Sequence, residues 1–215
     1  MTSELHEPFL RLTLCKSLAQ PDFADHNWSL DLDHLGKTVQ IIKFISYESA
    51  PPNAFIESIV SDSKHYVYAV FSHQAVDEFE RLWHRRLTQK TVGCLITILS
   101  AKLHIVRELV EQPGSISRTL NAPPNFTPND LANFNRLSIA PVLFITEISY
   151  IGADGCAIIG RPEPLYGDSF FRKLITLIIE YNFLSSCLLS QLYRPWRHHS
   201  FVPPYYHLRL HLLRH

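Results

Sequence analysis

A helical segment lies between strand-like segments in this chain, and that order limits the fold more than any other feature. Five segments are rich in β-branched and aromatic residues and are predicted strands: 38–48, 54–61, 65–72, 91–106 and 139–151. Between the third and the fourth of them, residues 73–84 change to a helical period. The turn SDSKH at 61–65 separates the second and third strands and predicts a hairpin.

The inserted segment, HQAVDEFERLWH, predicts an amphipathic helix that buries one apolar face. The residues of that face are Ala75, Val76, Phe79, Leu82 and Trp83. Ser72 precedes the first turn and is the predicted N-cap. Within the following strand, the polar SAK at 100–102 predicts a bend or bulge, a common device for closing small barrels.

Five strands with a helix between the third and the fourth match the OB-fold, a five-stranded Greek-key barrel. We therefore predict a mainly β protein with an OB-fold domain over residues 8–160. This domain begins with a short helix at 8–19. Residues 20–36 are predicted to be turns, and 107–138 a long loop. A mixed α+β sheet is the main alternative to the barrel.

The C-terminal part of the chain is first apolar and then basic. Residues 168–193 predict a helix, and its stretch 174–193 has the length of a membrane span, with Glu180 as its one charge. A carboxylate in lipid is costly, so we expect this helix to pack on the barrel and not to enter a membrane. Residues 194–215 contain no acid and are predicted to be a poorly ordered basic tail. A gene-model error, such as an intron read through, is an alternative origin of 168–215.

The composition favours neither catalysis nor a cofactor. Lys plus Arg and Asp plus Glu both number 20, so the chain has no global positive field to hold nucleic acid. It contains no GxGxxG, GxxxxGK, HExxH or GxSxG motif, so we expect no enzyme. The four cysteines form no CxxC pair, and no zinc site is expected. The helically spaced His207, His211 and His215 are more simply interpreted as a frayed terminal segment than as metal ligands.

The hairpin turn and the exit of the inserted helix carry opposite charges. Asp62 ends the second strand, and Arg86 follows the helix just before the chain re-enters the sheet. A bidentate pair between them would tie the helix exit to the hairpin. Placement alone leaves this as one pairing among several.

The inserted helix also carries the acids Asp77, Glu78 and Glu80. Lys43 on the first strand and Thr91 at the opening of the fourth are candidates for the same outer face. A solvated helix face is the simpler interpretation of this spacing.

The order of several short motifs resembles one known family. These motifs are IIKF at 41–44, a strand–SD–hairpin at 59–72, FER at 79–81, RLT at 86–88, T..CL at 91–95 and PVLF at 141–144. Together they are similar to the telomerase-recruiting OB-fold proteins, which include the third "ever shorter telomeres" subunit of yeast telomerase and the shelterin subunit adrenocortical dysplasia homologue. The similarity covers roughly residues 8–160.

The resemblance implies which residues have roles. The docking surface of the yeast subunit would correspond to Lys43, Glu80 and Thr91, and we add the neighbouring Glu78. The family's structural Asp–Arg salt bridge would correspond to Asp62 and Arg86. The family's early helix has a Trp after a Pro. Here Phe9 follows Pro8 and keeps the aromatic ring but not the indole, and Trp28 is the other candidate for this structural role.

The resemblance further implies a non-catalytic protein of the nucleus and of telomeric chromosome ends. It would bind the telomerase reverse transcriptase and its RNA–protein complex, together with other telomere proteins, and promote telomerase recruitment or activity. The alternative is a single-stranded nucleic-acid-binding OB-fold, in which Tyr47, Tyr66, Tyr68 and Phe71 stack on bases beside Lys43 and Lys64. A weak contact with single-stranded telomeric DNA is compatible with either function.

Overall fold

The structure, a computed structural model, describes residues 5, 8–20, 23, 28–47, 55–107, 115–120 and 139–192. Its helices are α1 (Leu10–Leu18), α2 (His73–Trp83), α3 (Ser115–Leu120) and α4 (Ser169–Leu192). Its strands are β1 (Ser29–Leu32), β2 (Lys37–Tyr47), β3 (Ile56–Ser61), β4 (His65–Phe71), β5 (Leu95–Arg107), β6 (Ile139–Gly152) and β7 (Glu163–Pro164). Short 3-10 turns lie at Gln89–Thr91 and Leu165–Gly167.

Five of these strands close into a barrel. β2 pairs with β3 and β5, β3 with β4, and β5 with β6, all antiparallel, while β4 and β6 close the ring as a parallel pair. The chain order of the barrel strands is therefore β2, β3, β4, β5, β6, with α2 between the third and the fourth. This is the predicted OB-fold, and the mixed α+β sheet is ruled out by the closure.

Strand β5 bends where the sequence predicted it. Its register against β6 shifts on both sides of Ser100, inside the predicted SAK bend. Its first half pairs with β2 through residues 95–98, and its second half pairs with β1 through residues 101–104. β1 falls in a segment predicted to be turns, because this short strand is fixed by its pairing with β5 and not by a local pattern.

The main hydrophobic core fills the barrel and extends to α1 and α4. Phe171, Ile175, Ile178 and Ile179 of α4 are all buried in it, while Glu180 is exposed. The first part of the predicted helix 168–193 therefore packs as part of the barrel domain. None of the described helices combines the length and apolarity that a membrane crossing requires. The predicted basic tail 194–215, with the helically spaced His207, His211 and His215, lies outside the described residues.

Candidate protein-docking surface

Helix α2 packs against β6 of the barrel through a narrow face. The Ser72 hydroxyl accepts a hydrogen bond from the Ala75 backbone N–H at 3.1 Å, which confirms the predicted N-cap. Ala75 and Phe79 are the buried residues of the helix. The Phe79 ring meets Tyr150 of β6 edge to face, with 5.7 Å between ring centroids. This face fixes which side of α2 is turned to solvent.

The C-terminal end of α2 departs from the prediction. Leu82 and Trp83 were expected to be buried, but they are 52% and 41% exposed. The reason is that the helix ends at Trp83, where His84 takes the left-handed conformation with φ 52° and donates its N–H to the Glu80 carbonyl. The barrel covers the helix around Ala75 and Phe79 and leaves this last turn open.

Trp83 belongs to an ordered cluster with Tyr150, Arg85 and Asp154. Its ring packs on Tyr150 at 5.4 Å between centroids, and the Arg85 guanidinium lies 5.4 Å from the Tyr150 centroid. The Tyr150 hydroxyl donates to Asp154 at 2.7 Å, and Arg85 donates to Tyr150 and pairs with Asp154. Burial, followed by the hydrogen bond to Asp154 and its charge, raises the pKa of Tyr150 to about 12. The tyrosine therefore stays protonated and keeps its bond to Asp154.

The acids of α2 face solvent, as the sequence indicated. Glu78 lies 3.5 Å from Arg81, and Glu80 lies 3.9 Å from Arg86. Such exposed ion pairs contribute about 0–1 kcal/mol, so a partner can replace them at little cost. His73, Gln74, Asp77 and Arg81 are also exposed on this helix.

Two other predicted docking residues differ in accessibility. Lys43 is exposed on β2, where it pairs in register with Ile59. Thr91 is only 4% exposed. Its hydroxyl donates to the Thr88 carbonyl at 2.7 Å and accepts from the Thr88 N–H at 3.0 Å, which closes the 3-10 turn. Thr91 therefore stabilises the turn from inside and offers little surface for a partner.

The predicted ion pair between Asp62 and Arg86 is not formed. Asp62 is 1% exposed, and its carboxylate accepts hydrogen bonds from three backbone N–H groups. These donors are Leu10 at 2.7 Å, Lys64 at 3.1 Å and His65 at 2.8 Å. Arg86 is 82% exposed and points to Glu80 instead. Asp62 thus joins the β3–β4 turn to the start of α1 by accepting hydrogen bonds from backbone N–H groups. Such partners cannot be identified from residue types, because nearly every residue carries a backbone N–H.

Both candidate structural aromatics contribute to packing. Phe9 is 7% exposed in the main core, directly before α1. Trp28 packs on the same core and meets Phe23 edge to face at 6.0 Å. Its φ of 58° is unusual for a bulky residue, and its carbonyl accepts a hydrogen bond from the Ile105 N–H at 3.0 Å.

The described part of the chain holds no group of three side chains suited to bind a metal ion. What the barrel presents is a helix with mixed charges and a half-exposed tryptophan on a fixed aromatic support. A half-exposed tryptophan of this kind is a residue type that protein-binding surfaces favour.

Comparison with known families identifies the chain more closely. The family described as shelterin complex subunit, TPP1/ACD, matches residues 12–135, which is more than half of the chain. The chain therefore belongs to the TPP1/ACD family of shelterin subunits.

Among solved structures, the chain is similar to the Est3 telomerase subunit of the yeast Hansenula polymorpha. The two share 17% identity with a TM-score of 0.45, over 74% of this chain and 83% of that one. No curated protein sequence matches the chain.

Proposed function

We propose that this chain acts in the nucleus at telomeres, where it docks on the telomerase reverse transcriptase within its RNA–protein complex and promotes recruitment or activity. Membership in a family of shelterin subunits supports this function. The order of motifs that resembles the telomerase-recruiting OB-fold proteins agrees with it. Other telomere proteins would hold the chain at the chromosome end.

The observation that carries the proposal is the solvent-facing side of α2. We define the docking surface as the solvent-facing residues around the C-terminal half of α2, namely Glu78, Glu80, Leu82 and Trp83, with Lys43 of β2 as a proposed outlying contact. Glu78 and Glu80 are 43% and 37% exposed, and their weak ion pairs leave them free to exchange partners. Charges of this kind steer association and select the partner.

Trp83 supplies the apolar anchor that charges alone lack. Tryptophan and tyrosine are among the residues that dominate the energetics of protein interfaces, because a large rigid ring buries much area at little entropic cost. Here the Trp83 ring already rests on Tyr150, which Arg85 and Asp154 hold in place. An anchor ordered before binding loses less entropy when the partner arrives.

The test is co-purification of telomerase activity with the tagged protein, comparing wild type with the double variant Lys43→Glu/Glu80→Lys. We expect recovered activity to fall by about tenfold or more, because each reversal places like charges against the partner. Glu147→Lys is the matched control, since this exposed acid lies on β6 outside the docking surface. Circular dichroism would show that all variants are folded.

Single-stranded nucleic-acid binding has less support. Phe71 is in the barrel core and Tyr68 is 2% exposed, so neither ring is available to stack on a base. Tyr66 packs edge to face on Tyr166 at 6.3 Å. Lys43 and Lys64 are exposed, but two lysines do not make a basic groove.

A further inference from the structure

The outer face of β3 and β4 carries a second hydrophobic cluster, separate from the barrel core. Its buried members are Ile59, Tyr68, Val70, Val106, Ile116, Ala140 and Val142. Side chains alternate along a strand, and the neighbours Val60, Val67 and Ala69 belong to the main core inside the barrel. The second cluster therefore lies on the exterior of the second and third barrel strands. That face, together with adjoining loops, is the one with which OB-folds bind their ligands.

In this chain the face is covered by α3. Ile116 of α3 is fully buried in the cluster, and Leu120 packs at its edge. On the same face, the Tyr166 ring stacks on Tyr68, with 6.0 Å between centroids and 12° between planes. The chain thus fills its own ligand-binding face with apolar and aromatic side chains.

A buried carboxylate fastens α3 to this face. Glu57 of β3 is fully buried. Its Oε1 accepts from the Ser117 N–H at 2.8 Å and from the Ser117 hydroxyl at 2.7 Å, while Oε2 accepts from Ser46 at 2.8 Å. A buried carboxylate is costly without such donors. A segment that covers Glu57 must therefore supply hydrogen-bond donors to it.

Helix α3 has only six residues, and an isolated helix of that length is unstable in water. Its order depends on the contacts of Ile116, Leu120 and Ser117 with the barrel. A short segment held by a few contacts opens more easily than the strands beneath it.

We propose that this exterior face is a second binding site, which takes a short amphipathic peptide and which α3 occupies within the chain. The peptide would present two aliphatic side chains one helical turn apart and donate hydrogen bonds to Glu57, as α3 does. The negative charge of the Glu57 carboxylate on this face disfavours a nucleic-acid backbone. A partner of this chemistry would bind only when α3 leaves, so α3 is an autoinhibitory cover.

The first experiment measures hydrogen exchange at the Ser117 amide in the full chain. We expect protection in the wild type, and exchange roughly 10- to 100-fold faster in Ser117→Ala, where the hydroxyl bond to the charged acceptor is lost. Thr119→Ala is the matched control, because the Thr119 hydroxyl donates to the Ile116 carbonyl inside α3 and not to the barrel. Exchange of wild-type Ser117 at the rate of an unstructured peptide would overturn the proposal.

The second experiment supplies the peptide from outside. A capped synthetic peptide of residues 113–122 is added to wild type and to Ile116→Asp, whose aspartate cannot enter the apolar face. We expect saturable NMR shifts at the amides of Ile59, Tyr68 and Val142 in the variant. In the wild type α3 competes at an effective concentration on the order of millimolar, so shifts there should be much smaller.

Equal shifts in both proteins, or none in a folded variant, would contradict the proposal. Binding of a telomeric single-stranded oligonucleotide to the variant at these same amides, with steep salt dependence, would also contradict it, because the site would then take nucleic acid. If Ile116→Asp does not fold, Ser117→Ala replaces it in the peptide titration, with the same outcomes at smaller amplitude.

Discussion

Removing the Asp62 carboxylate should destabilise the fold strongly, whereas removing Arg86 should not. In Asp62→Ala, the N–H groups of Leu10, Lys64 and His65 lose their acceptor. A buried donor without a partner costs about 1–3 kcal/mol, and the Lys64 N–H is partly reached by water, so the expected loss is about 3–6 kcal/mol. For a chain of this size, that lowers the melting temperature by on the order of 10 °C.

Asp62→Asn keeps the shape of the side chain but removes its charge and replaces one acceptor oxygen with an NH₂ group. Its amide NH₂ must face at least one of the N–H donors, so we expect a loss of about 2–4 kcal/mol. Arg86→Ala should change stability by less than about 0.5 kcal/mol, because the side chain is 82% exposed and its ion pair with Glu80 is long, at 3.9 Å.

Urea unfolding followed by circular dichroism measures all three variants and the double variant Asp62→Ala/Arg86→Ala. The structure predicts no coupling between the two positions beyond experimental error. A large loss of unfolding free energy in Arg86→Ala, or a coupling energy of 1 kcal/mol or more, would refute the backbone-acceptor role of Asp62. Either result would support an ion pair between Asp62 and Arg86.

Three further predictions follow from burial and backbone geometry. Phe171→Ala should lower the free energy of unfolding in urea by about 3–5 kcal/mol, because this α4 side chain is 1% exposed. Leu177 on the same helix is 46% exposed, so Leu177→Ala should lower it by under about 0.5 kcal/mol. Equal effects of the two substitutions would contradict the packing of α4 in the core. Burial lowers the pKa of His104 from 6.5 to about 4, so the unfolded chain takes up a proton between these values and the folded chain does not. The free energy of unfolding should therefore fall as pH drops from 7 to 5. The fall should be on the order of 1 kcal/mol larger in wild type than in His104→Gln, a figure reduced for the solvent that reaches the half-buried ring. Parallel pH profiles of the two proteins would contradict this prediction. Gly93→Ala should lower the melting temperature sharply in a thermal scan, because Gly93 has φ +88° and an added Cβ would lie 2.2 Å from the Cys156 carbonyl oxygen; an unchanged melting temperature would show that the two segments do not meet.

The barrel and its inserted helix could be predicted because their signals are local. Period-two strands, the Ser72 cap and the polar bend at 100–102 each follow from nearby residues. β1 could not be found in this way, because Ser29–Leu32 becomes a strand only when β5 lies beside it. Strand order came from recognising the whole sequence of elements, not from any single pairing.

The candidate site was only partly predictable, for two physical reasons. Helical periodicity assigned Leu82 and Trp83 to the buried face, but it does not tell where the barrel surface ends beneath a helix. Charge assigned Asp62 to Arg86, although its real partners are backbone N–H groups, which every residue except proline carries. The resemblance of the chain to the telomerase-recruiting proteins predicts Thr91 on the docking face. In the structure, its hydroxyl is turned inward and closes the 3-10 turn through hydrogen bonds with Thr88.

The central claim is that the solvent-facing side of α2 docks on telomerase. The most direct measurement is telomerase activity recovered with the tagged chain, for wild type, Trp83→Ala, the double variant Glu78→Lys/Glu80→Lys, and the control Glu147→Lys. We predict that the control matches wild type, and that folded Trp83→Ala and the double variant each lose about tenfold or more of the activity. Full recovery with both folded α2 variants would place the telomerase contact elsewhere on the barrel and contradict the proposal.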